Sequence, residues 1–297
     1  MTLVSVIMPA WRPNPEWIHE AVASVLAEQA CGIELIVIDD GNDQPVAQML
    51  SDVDDPRLRV VRVAHCGPYA ARNAGLKAAK GDYVRFFDVD DVVVPGSTER
   101  LLAAAQAGGG ETVAYGWTMM CDERLASQRL VSDDKHGELA EEHLLGRFDV
   151  YITGMLCPKT VLDRVGPWDE KNYRLMGDRD YVQRVLEQAP VSGIGEVVTL
   201  YRRHSASITR SSRPADAVVA GLQVLKDYFA RHPEKRGTEL ERDAYRNLHL
   251  YRSRQFHRLR QRGASLRQLA LAARHDPIAI GALVLGLVRK RIARFTG

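Results

Sequence analysis

Two aspartates that stand two positions apart after an apolar segment are the residues of this sequence best suited to chemistry. Asp88 and Asp90 follow residues 83–87, a run typical of a buried strand. Alternate residues of an extended chain point to one side, so both carboxylates would face the same way. A divalent cation would remove their mutual repulsion and keep coordination positions for phosphate oxygens. The alternative is a solvated turn or a helix cap, where Asp-rich segments are common.

The elements that must position these aspartates alternate between strand and helix. Strands are predicted over residues 3–8, 34–38, 58–63 and 83–87, with helices after residue 15 and over residues 70–79. This order predicts an α/β fold with a mainly parallel sheet that is flanked by helices on both faces.

In such a sheet, ligands bind outside the carboxyl ends of the strands. Three polar or aromatic segments, residues 9–11, 39–40 and 88–91, all fall at those ends. We therefore expect one edge of the sheet to carry the functional site.

Charge divides the 297-residue chain into two parts. Residues 210–297 hold 19 Lys and Arg against 7 Asp and Glu, a net charge of +12, whereas residues 1–209 carry −10. The first part alternates strand and helix, and the second has only helical patterns. We predict a catalytic domain over residues 1–209 and a basic helical C-terminal region over residues 210–297.

Several classes of protein are disfavoured by composition and motifs. Hydrophobic residues at 45% and charged residues at 26% are typical of a folded globular protein. The longest apolar stretch, residues 277–288, is shorter than the ~20 residues of a membrane-spanning helix. The first residues lack the basic start of a signal peptide, which predicts a cytoplasmic protein. The four cysteines form no C-x-x-C pair, and no P-loop or H-E-x-x-H motif occurs.

Six segments, in order along the chain, resemble the family-2 glycosyltransferases, inverting enzymes of the GT-A nucleotide-diphosphosugar transferase fold. The resemblance covers residues 3–209 and does not include the C-terminal region. The segments that carry it are residues 4–11, 34–41, 71–76, 81–91, 176–181 and 201–209.

The resemblance implies a set of donor-binding residues. Pro9, Ala10 and Trp11 match the positions that line the nucleotide base, with core packing as the alternative for Trp11. Asp39 matches the residue that hydrogen-bonds the pyrimidine. Arg72 matches the arginine near the diphosphate, a role that suits a bidentate guanidinium; its alternative is a surface salt bridge.

A metal site of Mn²⁺ or Mg²⁺ is also implied by the resemblance. Asp88-Val89-Asp90 matches the family's D-x-D motif, with Asp88 nearer the ribose and sugar and Asp90 as the direct metal ligand. Asp91 is interpreted as a cap for the next segment. His204 matches the histidine that closes over the diphosphate or completes the metal coordination.

Asp178 matches the position of the catalytic base. Gly177 precedes it, where the family usually has glutamate. The positive end of a helix beginning near Asp178 would favour its ionised form. Asp180 is the competing candidate, and a plain N-cap is the structural alternative for Asp178.

These inferences predict an inverting, metal-dependent glycosyltransferase that uses a nucleotide-diphosphate sugar, a UDP-sugar by preference, and a hydroxyl acceptor. The acceptor would be a glycan, a lipid-linked molecule or a small molecule, selected by the irregular region 108–171. The alternatives are a catalytically silent nucleotide-sugar-binding or membrane-adaptor protein and, less favoured, a sugar nucleotidylyltransferase. The basic region has few aromatics and no recognition motif, so no nucleic-acid partner is expected.

The apolar and basic segment 277–295 leaves two interpretations open. It can lie on an anionic membrane as a surface helix, which would make the protein peripheral at the cytoplasmic face. It can instead pack against the catalytic domain or against the second subunit of a homodimer.

Overall fold

The computed structural model describes residues 2–29, 32–205, 207 and 213–282, which divide between two compact units. The first unit comprises Met1–Ala140 and Phe148–Ser211, and the second comprises Glu141–Arg147 and Ser212–Gly297. Nothing in the sequence pattern predicted that residues 141–147 would group with the C-terminal helices. The assignment of catalytic function to residues 1–209 remains a prediction.

A mixed sheet of ten strands, counted over the described residues, forms the centre of the first unit. The strands are β1 (Leu3–Ala10), β2 (Gly32–Asp40), β3 (Leu58–Val63), β4 (Tyr83–Phe86), β5 (Val92–Val93), β6 (Val113–Cys121), β7 (Ser127–Val131), β8 (His136–Gly137), β9 (Met155–Pro158) and β10 (Val191–Arg202).

Helices lie between these strands and in the second unit. They are α1 (Pro15–Leu26), α2 (Val46–Met49), α3 (Pro68–Ala78), α4 (Ser97–Ala107), α5 (Ala140–Leu144), α6 (Lys159–Val165), α7 (Gly177–Leu186), α8 (Pro214–Arg231), α9 (Glu239–Arg258) and α10 (Arg262–His275).

The sheet has the order β3-β2-β1-β4-β9-β6-β10-β5, while β7 pairs with β6 and β8 with β10. Strands β3, β2, β1 and β4 are parallel neighbours, as are β6 and β10. Strand β9 joins these two parallel groups by antiparallel pairing with both β4 and β6. The α/β fold class with flanking helices is therefore confirmed, and antiparallel pairs make the sheet mixed.

Alternate residues of β1 explain why helices cover both faces. Val6 and Met8 belong to the core that includes the apolar side of α1, whereas Ile7 belongs to the opposite core, which includes α3 and α7. A strand buried on both faces reads as a continuous apolar run. On the Ile7 face, Gly75 of α3 packs closely, because a Cβ at that position would lie 2.2 Å from Ile7 Cγ2.

The second unit is helical within its described residues. Its core joins residues of α8 and α9 to Leu144 and Leu145. Asp276, after α10, accepts hydrogen bonds from the Ala279 amide at 2.9 Å and from Arg246 Nη1 at 2.7 Å. Residues 277–282 are helical, and the rest of the predicted membrane-surface segment lies outside the described residues. None of the helices in the described ranges has both the length and the apolar character needed to cross a bilayer.

Candidate active site

Three strand ends meet at one edge of the sheet, as the sequence predicts. Strand β1 lies between β2 and β4, and the pairs Ala10↔Asp39 and Ile7↔Phe86 set the register. All three strands are parallel, so their carboxyl ends lie on the same side. Residues 9–11, 39–40 and 88–91 leave the sheet at this edge.

The acidic segment after β4 forms a compact cluster of carboxylates. One oxygen from each of Asp88, Asp90 and Asp91 lies within 4.8 Å of the others. Asp91 is fully buried and accepts a hydrogen bond from the backbone amide of Arg202 at 3.0 Å. Asp91 therefore fastens this turn to the end of β10, and the sequence anticipated only a capping role for it.

Burial and mutual repulsion make this cluster electrostatically unfavourable. Desolvation raises the pKa of Asp88; the Arg72 guanidinium opposes this shift, and the charge of Asp90 adds to it. Desolvation, followed by the charges of Asp90 and Asp88, raises the pKa of Asp91 well above its usual range. The Oδ2 atom of Asp91 is also buried without a hydrogen-bond partner. Clustered carboxylates short of protein donors suit a divalent cation, which favours oxygen ligands, so the residues present fit such an ion.

His204 and Asp90, which the sequence assigned to one metal site, do meet. The Nε2 atom of His204 lies 2.7 Å from Asp90 Oδ2, and the histidine is 9% exposed. Its ring packs against Trp17 of α1 with a centroid distance of 4.7 Å. The opposite ring nitrogen, Nδ1, is buried and has no hydrogen-bond partner in the structure.

Arg202 supports this arrangement and was missed by the sequence reasoning. Its Nε donates to the Asp90 carbonyl at 2.9 Å, its Nη2 contacts Glu20, and its guanidinium lies 5.1 Å from the Trp17 ring centroid. The available signal was its place two residues before His204. That spacing puts the two side chains on one side of an extended segment.

Arg72 lies beside the cluster and is buried. Its Nη2 donates to Asp88 Oδ1 at 2.5 Å, and its guanidinium lies 5.0 Å from the Trp168 ring centroid. Its buried Nε has no partner in the structure. The alternative of a surface salt bridge is wrong, because Arg72 is only 6% exposed.

Asp39 is used by the turn that follows β2. Its Oδ1 accepts from the amide and the side-chain nitrogen of Asn42, and its Oδ2 accepts from the Val46 amide. Burial opposes ionisation, but the hydrogen bonds from Asn42 and Val46, with the charge of Arg62, leave the pKa of Asp39 lowered. The structure thus gives this 1%-exposed side chain a local role in the loop. Its predicted contact with a pyrimidine stays a prediction.

Asn42 is a second residue that the sequence reasoning missed. It donates to the Ala10 carbonyl at 2.9 Å and accepts from the Arg12 amide at 2.5 Å, so it joins the ends of β1 and β2. An Asn shortly after an acidic strand end is a frequent turn residue, which was the signal available.

Trp11 lies on the surface of this edge, and Pro9 and Ala10 lead to it. The indole is 49% exposed and stacks on His65, with ring centroids 4.9 Å apart and an interplanar angle of 23°. The guanidinium of Arg12 lies 4.8 Å from the Trp11 ring centroid. The alternative that Trp11 fills the core is therefore wrong, because half of its side chain is open to solvent.

The two candidate bases in the first turn of α7 have different environments. Asp178 is exposed, and its charge contributes to the raised pKa values of Tyr69 and Asp88, so it lies on the side of the acidic cluster. Asp180 is 2% exposed and accepts from Arg184 Nε at 2.9 Å. The N-cap of α7 is Met176, so the N-cap alternative for Asp178 is wrong.

Comparisons with known proteins agree with this geometry. The family model described as glycosyl transferase family 2 matches residues 5–163. The uncharacterized glycosyltransferase EpsJ of Bacillus subtilis is 27% identical over 217 residues, which cover 70% of this chain and 63% of EpsJ. The uncharacterized glycosyltransferase alr2836 of Nostoc is 24% identical over 268 residues, which cover 86% of this chain and 83% of alr2836.

Solved structures show the same fold. The crystal structure of S. aureus TarS 1–349 in complex with UDP-GlcNAc matches with a TM-score of 0.64 and 17% identity, over 95% of this chain and 84% of that chain. The match covers 50% of the longer TarS chain. The architecture is thus the GT-A fold that the sequence resemblance implied, and the chain belongs to glycosyl transferase family 2.

Proposed function

We propose that this glycosyltransferase moves a sugar from a UDP-sugar to an acceptor hydroxyl, with inversion at the anomeric carbon and with Mn²⁺ or Mg²⁺ as cofactor. The support is the family membership together with the cluster of Asp88, Asp90 and Asp91 at the carboxyl edge of the sheet. TarS, which shares the fold, has been crystallised with UDP-GlcNAc and with UDP. The carboxylate cluster is the observation that carries the proposal.

The donor would bind along the edge from Trp11 to the acidic cluster. The half-exposed Trp11 would line the base, beside the buried Asp39 and the strand end at Pro9 and Ala10. Asp88, Asp90 and His204 would hold the metal ion. When bound, that ion neutralises the charge of the departing nucleotide diphosphate.

Two basic side chains complete the donor side. Arg72 is held beside the cluster by its Nη2 hydrogen bond to Asp88. His204 is held by Asp90 and by packing against Trp17. Both side chains are therefore already ordered next to the position proposed for the diphosphate.

Asp178 would act as the general base. Its exposed carboxylate, in the first turn of α7, accepts the proton from the acceptor hydroxyl as that oxygen attacks the anomeric carbon. A single displacement inverts the configuration and requires no covalent sugar intermediate. Asp180 is a poor competitor because its carboxylate is committed to Arg184.

The experiment is a panel of nucleotide-diphosphate sugars with Mn²⁺, scored by nucleotide release with and without EDTA. Metal-dependent release from a UDP-sugar is the expected result. Binding of donors in a thermal-shift assay without turnover, even with simple sugar acceptors, would favour the silent binding protein. Full activity in EDTA would contradict the metal site.

The proposal also covers the acceptor and the location of the protein. We propose that residues 108–171 select the acceptor. If segment 277–295 binds the cytoplasmic face of the membrane, the acceptor would be lipid-linked. Liposome co-sedimentation of the full chain against a chain ending at His275 tests that contact. Light scattering on the same two proteins tests whether the segment instead joins two subunits.

A further inference from the structure

The start of helix α7 has an unusual capping arrangement. Its N-cap, Met176, has a left-handed backbone (φ 59°) and no side-chain capping hydrogen bond. The backbone amide of Gly177 instead donates to the hydroxyl of Tyr69, at 3.0 Å. Amides in the first turn of a helix lack intrahelical acceptors, so a side chain from α3 supplies one here.

The ring of Tyr69 occupies the space that a side chain at position 177 would need. A Cβ on Gly177 would lie 2.5 Å from Tyr69 Cζ and 2.7 Å from Cε2, closer than non-bonded carbon atoms approach. The backbone does not require glycine here, because Gly177 does not have a positive φ angle. Tyr69 and Gly177 therefore depend on each other sterically.

Tyr69 is itself held by a column of aromatic rings. It stacks on Trp168 with centroids 5.7 Å apart and an interplanar angle of 8°, and Trp168 stacks on Tyr181 of α7 at 3.9 Å and 3°. Asn73 accepts from the Trp168 amide and donates to the Trp168 carbonyl, which fixes the middle ring to α3. The hydroxyl of Tyr69 thus approaches α7 from a rigid support.

Charged residues of the site also affect the Tyr69 hydroxyl. Burial and the charge of Asp178 raise the pKa of Tyr69 to about 12, with the Gly177 amide and Arg72 acting in the opposite direction. The hydroxyl therefore remains protonated at neutral pH. Its oxygen accepts the hydrogen bond from the Gly177 amide.

We propose that Tyr69 is a positioning residue for the transfer reaction: its hydroxyl and ring hold the first turn of α7, and with it Asp178, in the geometry needed for proton removal. This inference rests on the proposed function, in which Asp178 is the base. In this chain the helix start is built around a tyrosine from α3, and the glycine at position 177 is the consequence.

The first test removes only the hydroxyl. Tyr69→Phe keeps the stacked ring, so it should lower kcat by about 10- to 100-fold, the scale expected for a misplaced catalytic group, with an unchanged KM for the UDP-sugar. The matched control is Tyr115→Phe. It removes a hydrogen bond of 2.8 Å from the Tyr115 hydroxyl to the Lys135 carbonyl, outside the proposed site. Equal kcat values for Tyr69→Phe and wild type, or an equal loss in Tyr115→Phe, would overturn the proposal.

The second test uses the steric pair. Gly177→Ala should lower kcat in the wild-type background, because its Cβ displaces the ring. In a Tyr69→Ser background the same substitution should be neutral or raise the Tm, since alanine is the better helix former. Gly263→Ala in α10, where a Cβ meets no atom within 4 Å, is the control. Additive effects of the two substitutions would contradict the steric pair.

A third measurement does not depend on turnover. Amide hydrogen exchange at Gly177 should be about fivefold faster in Tyr69→Phe, as expected for the loss of one hydrogen bond of about 1 kcal/mol. Unchanged exchange would refute the contact. Loss of activity in Asp178→Asn but not in Tyr69→Phe would reject the positioning role and keep the proposed base, whereas full activity in Asp178→Asn would reject the base itself.

Discussion

The two acidic strand ends of this protein look alike in sequence and differ in what surrounds their carboxylates. At the end of β2, Asp39 and Asp40 are both buried, and each carboxylate accepts several hydrogen bonds. Asp39 accepts from Asn42 and Val46, and Asp40 accepts from the backbone amides of Cys66 and Gly67 at 2.7 and 3.0 Å. These two aspartates organise the loops at the edge.

After β4 the donors are few. Asp88 accepts a hydrogen bond from Arg72, and Asp90 is hydrogen-bonded to His204. Asp91 accepts one hydrogen bond from a backbone amide, and its second oxygen has no hydrogen-bond partner in the structure. The carboxylates face one another, which raises the pKa of Asp88 and Asp91, whereas hydrogen bonds lower the pKa of Asp39. We therefore assign the proposed metal site to the acidic segment whose charge the fold leaves with few donors. Supplying donors converts the same residues into structural supports.

The first turn of α7 repeats this difference at shorter range. Asp178 is exposed, and Asp180, two residues on, is buried against Arg184. Here the exposed carboxylate is the one assigned to chemistry. Four substitutions test the comparison, in decreasing order of expected effect.

Asp90→Ala should have the largest effect. It removes the carboxylate that contacts His204 and takes part in the cluster, so transfer should fall by about 10³-fold or more, which corresponds to the several kcal/mol that a metal ion contributes. Metal-dependent binding of UDP, measured by calorimetry, should also be lost. Asp54→Asn, at an exposed aspartate in a surface loop, is the control and should keep both properties. Retained metal-dependent binding in Asp90→Ala would contradict the assignment.

Asp178→Asn should follow, with kcat lower by about 10²- to 10⁴-fold, as is typical for loss of a general base. The amide keeps the shape of the side chain, so UDP binding should not change. Asp180→Asn should mainly lower the Tm, because it leaves the Arg184 guanidinium buried with a weaker partner. If Asp180→Asn selectively lowers kcat and Asp178→Asn does not, the assignments must be exchanged.

Asp39→Ala should act mainly on stability. It leaves the donors of Asn42 and Val46 without an acceptor, which costs about 1–3 kcal/mol of unfolding free energy, measured by denaturant titration. The folded pKa of Asp39 is lowered from 3.8, so its stabilisation is present above pH 3.8 and is lost as the pH falls through the folded pKa. The difference between variant and wild type should therefore shrink in acid. A constant difference down to pH 3 would contradict this account.

Asp91→Asn should have the smallest effect and the opposite sign. The folded pKa of Asp91 is raised well above its unfolded value of 3.8. Ionisation of Asp91 therefore lowers the free energy of unfolding once the pH rises above 3.8, and the loss is complete above the folded pKa. At pH 7.5 the neutral amide should raise the Tm by about 2–4 °C, equivalent to ~1 kcal/mol in a domain of this size. At pH 3 the variant and wild type should have similar Tm values. A lower Tm at pH 7.5 would show instead that the ionised carboxylate of Asp91 stabilises the folded protein, as that of Asp39 does.

Local patterns determined much of the fold. The apolar runs within residues 3–8 and 34–38 predicted β1 and β2, because a strand buried on both faces is apolar almost throughout. Residues 58–63 predicted β3 through their β-branched valines, and this strand lies at the end of the sheet and is only partly buried. Region 108–171, irregular by sequence, contains strands β6 to β9 in the structure. Strand β9 was not predicted, since its four residues carry too little periodicity. Its antiparallel pairing, which joins the two parallel groups, depends on partners distant in sequence.

The sequence by itself also determined which residue types gather at the active edge, because the carboxyl ends of neighbouring parallel strands must meet. Only the tertiary structure decided which of those carboxylates are neutralised. Asn42 reaches Ala10 across 32 positions, and the Arg202 amide reaches Asp91 across 111. Tyr69 reaches Gly177 across 108 positions. Contacts at such separations arise from packing, and they set the charge and the rigidity on which the chemistry depends.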